Sequence, residues 1–352
     1  MQKVAFYSLL LLSILTVSCL DSNDDPKPQT PVVEDFKEGV FIVNEGGFEK
    51  SEGSLSFFNP QTINLTNEAY ALVNTDETVG DVLQSVYATG DEMFLIVNND
   101  NKVIVTDDSL RLKRTMTNFS LPRNMVSYEG KGYITETVSY AESGRVAVLD
   151  LERGFVSKTI AMDWYPESLV IAGDHLYVSN QGSDNLYVVS LINEEVVDTI
   201  AVGASPGRMV LDDDGDIWVA CGGGYGADYA PLNNGALYEV DPETNAVVST
   251  VDLGMNIDAK IAINNEGERI YYYSGNDVYY VSTSSPATPS DPFFTVTNAL
   301  GLYGIGFSPD DLIYLADARD FVEPGEVFIY NEAGVVVSNF TVGQLPNGFL
   351  FD

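Results

Sequence analysis

Apolar and polar positions along this chain fall into a unit that recurs about seven times. Each unit opens with an apolar run, usually led by proline, and a Gly/Asp turn. A β-rich run ending in Asn or another small polar residue follows. A third apolar run and a fourth closing on Val-Gly complete the unit. The clearest copy comprises Pro166–Gly173, His175–Asn180, Asn185–Ser190 and Glu195–Gly203. Alternating or wholly apolar runs of this length, rich in Val, Ile, Tyr and Phe, read as half-buried or buried strands. Four short strands recurring at about 40–45 residues form the pattern of a β-propeller blade.

The second strands centre near Ile42, Ile96, Ile134, Val178, Val219, Tyr272 and Leu315, at steps of 38 to 54 residues. The two longest steps require insertions, assigned to Asn59–Thr78 and Gly222–Asn234. No stretch past the N-terminal segment carries a 3.6-residue apolar period, so the expected class is all-β. Gln344–Phe351 reads as a first strand with no successor, and Gly39–Asn44 as a second strand with no predecessor. One blade drawing on both sequence ends closes the ring and leaves no long sheet edge exposed. The expectation is a seven-bladed β-propeller over residues 39–352, its closing blade shared between N- and C-terminal strands.

Charge narrows the partners. The 352 residues include 17 Lys+Arg against 52 Asp+Glu, a formal net charge of −35. That balance argues against nucleic acid and anionic lipid surfaces, both of which require basic stripes. Residues 1–18 read as an export signal: Lys3, the apolar run Val4–Val17, then Ser18 before Cys19. A small residue followed by cysteine marks a lipoprotein signal, with Cys19 as the lipidated N-terminus. The apolar run is shorter than the roughly 20 residues a membrane span needs. Residues 19–38, acidic and proline-containing, read as a disordered tether. The other cysteine, Cys221, has no partner for an internal disulfide and reads as a buried, inert thiol.

Catalytic chemistry is sparse. The single histidine, His175, follows a Gly173-Asp174 turn, which disfavours His-based metal sites and a Ser-His-Asp triad. Asp212–Asp216 resembles a calcium loop. It occupies the first-to-second-strand turn, however, where other units carry Gly and Asp for backbone reasons. Gly222–Gly226 lacks the Lys-Ser/Thr of a phosphate loop and reads as an insertion. No cofactor and no resident metal are expected.

In a propeller, the loops joining second to third strands and those joining successive blades open on one face. Sorted this way, that face receives Phe48, Tyr140, Trp164, Tyr165, Tyr225, Tyr229, Tyr303 and Phe321. It also receives Arg123, Arg208, Lys260 and Arg319, a large share of a scarce basic complement. Aromatic rings supply contact area and guanidinium forks fix polar groups. These residues are the candidate ligand contacts, on a platform for something bulky and partly apolar.

Several segments resemble the YncE-like, YVTN-type propeller lipoproteins of Bacteroidetes, a group that includes the cobalamin-binding surface proteins of the BtuG family. They are Gly39–Gly46, Gly53–Phe57, Gly80–Ser85, Leu121–Met125, Asp317–Gly325, and Phe340–Gly343 with Pro346. The acidic residues after Cys19 resemble surface-export signals of such lipoproteins. The resemblance implies a lipid-anchored propeller exposed outside the outer membrane, capturing a bulky nutrient for a TonB-dependent transporter, with cobalamin or a related corrinoid as the named cargo. Two other readings stand beside it. One is a structural or protein-interaction propeller. The other is a calcium-dependent lactonase or lyase, for which Glu45, Asp81, Glu136, Asp258 and Asp317 are candidate ligands.

Overall fold

The computed structural model describes residues 36–352 except Asp76, Ala227 and Tyr229. The export signal, Cys19, most of the tether and the candidate contact Tyr229 therefore lie outside the described residues. Seven four-stranded antiparallel sheets form the propeller. Numbered from the blade containing the first strand of the described chain, their inner strands are Pro346–Phe351, Leu83–Thr89, Pro122–Tyr128, Pro166–Ala172, Pro206–Leu211, Ile261–Ile263 and Leu302–Phe307. Each inner strand packs beside the next, and the last packs beside the first, so the ring closes.

Closure is built as the sequence implies. Val40–Asn44 pairs on one side with Ser54–Asn59 and on the other with Pro346–Phe351. Tyr314 of blade 7 packs against Phe349 and Phe351, with ring centroids 5.6 and 5.2 Å apart. The Asp352 amide donates to the Gly39 carbonyl at 3.0 Å, and the Glu38 amide to the Asp352 carboxylate at 2.9 Å. The packed body begins by Phe36, whose ring lies against Phe41 and Phe57.

Both faces of every blade are covered by neighbours, which is why second and third strands read as nearly continuous apolar runs. The core is accordingly divided into seven clusters, one at each blade interface. Trp218 is fully buried between blades 5 and 6, and Tyr271 stacks on Phe307 between blades 6 and 7. Cys221 is buried between blades 4 and 5, and burial pushes its thiol up to about 12.

Three local departures qualify the sequence expectation. The Asn59–Thr78 insertion holds the outer strand of blade 1, Asn64–Thr66, and a one-turn helix, Ala69–Val73, too short to print a period in sequence. The Gly222–Asn234 insertion is a small hairpin, Gly224–Tyr225 against Pro231–Asn233. Blade 6 has only two residues, Phe294–Thr295, in its outer strand.

One ion cluster ties the strands of blade 2. Arg114 on the outer strand donates to both oxygens of Glu92 on the second strand, at 2.7 and 2.8 Å, and Lys113 adds a contact at 2.5 Å. The Arg114 hydrogen bonds, helped by Lys113 and opposed by burial, hold the Glu92 carboxyl at about 2 rather than 4.5. A depressed carboxylate contributes stability above its unfolded pKa and loses it as pH falls through the folded one. Glu92→Gln is therefore expected to cost about 1–2 kcal/mol at neutral pH, after allowance for solvent screening. The gap should close between about pH 4.5 and pH 2, measured by urea unfolding across that range.

Candidate functional site

Successive antiparallel strands alternate ends. Starts of first strands, second-to-third-strand loops and blade connectors therefore share one end of the ring. All the described candidate contacts lie at this end. His175, at the start of a second strand, lies at the other.

At the shared end the central channel widens into a cavity of about 660 Å³. Its wall is set by a repeated irregularity in the sheets. In six of the seven blades the register between first and second strand slips just after the leading residue. The slips leave out Gln84, Arg123-Asn124, Glu167-Ser168, Gly207-Arg208, Tyr303 and Asn347. A bulge leaves its extra residue outside the ladder and re-aims the side chain. Here it delivers polar groups to the channel mouth from blade after blade, and Glu45, Asp258 and Lys260 join them.

Most of these groups are interlocked. Arg123 Nε donates to Glu167 Oε2 at 2.7 Å and its terminal nitrogen to Gln84 Oε1 at 2.6 Å. Asn124 Nδ2 donates to Glu167 Oε1 at 3.1 Å. Burial works against the Arg123 charge, yet the Glu167 carboxylate outweighs it and the pKa stands above its ordinary value. Across the mouth, Glu45 accepts from the Tyr303 hydroxyl at 3.2 Å and from Asn347 Nδ2 at 2.6 Å. Burial, reinforced by Glu45, raises the Tyr303 pKa. Lys260 Nζ donates to the Tyr303 carbonyl at 2.5 Å and sits 3.8 Å from the ring centroid of the same residue. Its pKa is lowered by burial, partly offset by Glu45, Glu167 and Asp258. The surrounding channel wall lowers the pKa of Arg208 by desolvation, although its side chain stands open to the channel.

The structure brings Arg123, Arg208, Lys260, Tyr303 and Phe321 together in the cavity wall, with Phe321 5.8 Å from Tyr303 between ring centroids. The remaining described candidates stand outside that wall. Tyr140, Trp164 and Tyr165 form a cluster on the rim, Tyr165 donating its hydroxyl to the Tyr140 carbonyl at 3.2 Å. Trp164 and Tyr140 remain 46% and 70% exposed. Phe48 and Tyr225 are exposed on their loops, and Arg319 pairs with Glu326 at 3.8 Å. Sequence reading missed Gln84, Glu167 and Asn347 as wall residues. Aligning the leading residues of the inner strands and reading the next position would have found all three.

Of the candidate calcium ligands, Glu45 and Asp258 line the cavity. The other three hold backbone instead. Asp81 accepts from the Glu49 amide at 3.0 Å. Glu136 accepts from the Ser120 amide and from Arg145 Nε, each at 2.5 Å. Asp317 accepts from the amides of Leu300, Gly301 and Arg319 at 2.8–3.0 Å. Among the described residues, the one group of three carboxylates near enough to share an ion is Asp212, Asp216 and Glu239, at the other end of blade 5. There Asp212 already accepts from the amides of Asp214 and Asp216 and from Trp218 Nε1, the arrangement of a side-chain-stabilised turn.

No curated protein is similar to this sequence at a significant level. Solved structures share its fold. A quinonprotein alcohol dehydrogenase-like protein from Bacteroides thetaiotaomicron superposes with a TM-score of 0.70 at 13% identity, covering 90% of this chain and 79% of that one. A functionally unknown protein from Desulfotomaculum acetoxidans gives 0.68 at 11% identity, covering 89% and 98%. Hydrazine synthase from Kuenenia stuttgartiensis gives 0.61 at 16% identity, covering 74% and 86%. At such identities the likeness concerns the fold alone. The sequence itself matches a family profile over residues 38–314, and the chain is a member of the family described as Domain of unknown function (DUF5074).

Proposed function

We propose that this chain is a capture protein, which binds a bulky small molecule at the channel mouth without transforming it. The observation that carries this reading is the convergence of bulge-borne polar side chains on one cavity, beneath a rim of exposed aromatics. A volume of about 660 Å³ lies within the range of roughly 300–1,000 Å³ usual for small-molecule sites. Exposed rings at the rim supply apolar contact at low entropic cost. Glu45 and Glu167 are engaged by Tyr303, Asn347, Arg123 and Asn124, which favours holding a ligand over shuttling protons.

In this reading the head is tethered to the outer membrane by lipid on Cys19, faces outward, and passes its cargo to a TonB-dependent transporter. A corrinoid is the first cargo to test, its polar arm in the cavity and its macrocycle over Tyr140 and Trp164. Cyanocobalamin titrated into the mature chain is expected to give heat and a visible-spectrum shift at micromolar protein. Trp164→Ala is expected to weaken binding by about tenfold. Absence of both signals removes cobalamin as cargo. Recovery of a transporter with the tagged protein from solubilised outer membrane tests the hand-over.

A further inference from the structure

We propose that Arg208 and Lys260 form an anion-binding subsite, so that the cargo enters the channel with a carboxylate or phosphate group. The inference rests on the capture reading and specifies the chemistry at its inner end. Among the described residues, seven arginines (Arg111, Arg114, Arg123, Arg145, Arg153, Arg269 and Arg319) each face a carboxylate within 4.0 Å. Arg208 does not, and its guanidinium has no side-chain hydrogen-bond partner. In a chain with 52 acidic residues and 17 basic ones, a cation without an acid beside it is conspicuous.

Lys260 is the second such cation in the same wall. Its ammonium is held by the Tyr303 carbonyl and ring face, and among the described residues no carboxylate lies within ion-pair distance. Asp258 also lines the cavity and acts on Lys260 only through space. Lys260 is half-buried and Arg208 stands open to the channel, so the wall presents two cations with no acid beside them to whatever enters.

The backbone brings the two together. The Arg208 amide donates to the Ala259 carbonyl at 2.9 Å, seating Arg208 beside the residue preceding Lys260. Gly207 permits the approach, because a Cβ there would come within 2.6 Å of that same carbonyl and 2.7 Å of the Ala259 Cβ. Arg208, on the inner strand of blade 5, and Lys260, just before that of blade 6, thus line one cavity, with the Lys260 ammonium lying toward Tyr303 of blade 7. Charge-assisted hydrogen bonds from such a pair suit a planar carboxylate or a phosphate oxygen.

The test titrates the mature chain calorimetrically with phenyl phosphate, benzoate and neutral benzyl alcohol. At least one anion is expected to bind saturably at one site, benzyl alcohol at least about tenfold more weakly, the two anions ranking phosphate against carboxylate. Arg208→Gln and Lys260→Gln are each expected to weaken the anion by about tenfold or more, with Arg153→Gln, at the far end, unchanged. The thermal midpoint of Arg208→Gln should match the parent, since its exposed guanidinium makes no hydrogen bond among the described residues, and Lys260→Gln should still melt in one cooperative step despite losing its contacts with Tyr303. Anion binding retained in the double variant, equal binding of benzyl alcohol, or no saturable anion binding at millimolar concentration overturns the subsite. Cyanocobalamin bound alike by parent and double variant overturns it while leaving capture intact. Anion binding lost in the variants without any cyanocobalamin signal sustains the subsite and removes only the corrinoid.

Discussion

Deletion of Pro346–Asp352 is expected to abolish cooperative folding. These few residues supply the inner strand of blade 1, pair along Val40–Asn44, and place Phe349 and Phe351 against Tyr314 of blade 7. Loss of three partly buried apolar side chains and one complete ladder costs on the order of 5 kcal/mol. That is comparable to the entire stability of an ordinary domain, about 5–15 kcal/mol. The deletion also bares Val40–Asn44 as an unpaired edge, a template for association. The expected observation is aggregation on expression, or a broad urea transition in place of a single step. A truncated chain that melts in one step within a few degrees of the parent would show that the ring does not depend on this strand.

The second large effect is expected from Gly144→Ala. An added Cβ there would lie 2.2 Å from Pro166 Cδ and 2.8 Å from the Glu136 carbonyl. Both neighbours belong to rigid groups, a proline ring and a peptide, so neither rotates away. Overpacking of this kind typically costs about 1–3 kcal/mol, and a backbone obstacle puts this site at the upper end. Gly325 repeats the arrangement in blade 7, with Pro346 Cδ at 2.2 Å and the Asp317 carbonyl at 2.8 Å. Gly325→Ala should therefore behave alike. Gly348→Ala is the control: it meets nothing within 4 Å and should stay within about 0.5 kcal/mol of the parent. Urea unfolding of the three variants separates the outcomes, and equal stability of Gly144→Ala and Gly348→Ala would refute the proposed blade contact.

The same junctions explain why so much of the fold was legible. A proline leads the inner strand of blades 1, 3, 4 and 5, where its missing N–H falls at a strand start, and in blades 1 and 4 its ring fills the space left at Gly325 and Gly144. Val, Ile and Tyr fill the second and third strands because both faces of each blade are covered. The candidate site was legible only in part. Arg123, Arg208 and Lys260 stood out because basic residues are scarce, and Tyr303 and Phe321 because they are aromatic. Gln84, Glu167 and Asn347 did not, since a lone polar residue at the start of a strand looks like an ordinary solvent contact. Strict alternation assigns consecutive residues to opposite faces, whereas the bulge at Glu167-Ser168 takes both out of the ladder. Sequence spacing alone does not reveal that slip. Phe48 and Tyr225 attracted attention for the opposite reason: large exposed rings are conspicuous in sequence wherever their loops lead.

Those slips also separate recognition from architecture. A residue that belongs to no strand pair can be exchanged without disturbing the pairs on either side of it. Position 208, whose side chain holds no neighbouring side chain, can therefore change chemical character while the seven interfaces and the closing strand keep their packing. Molecules of this design are able to acquire a new chemical preference through single substitutions at the pore entrance, with the wheel itself left untouched.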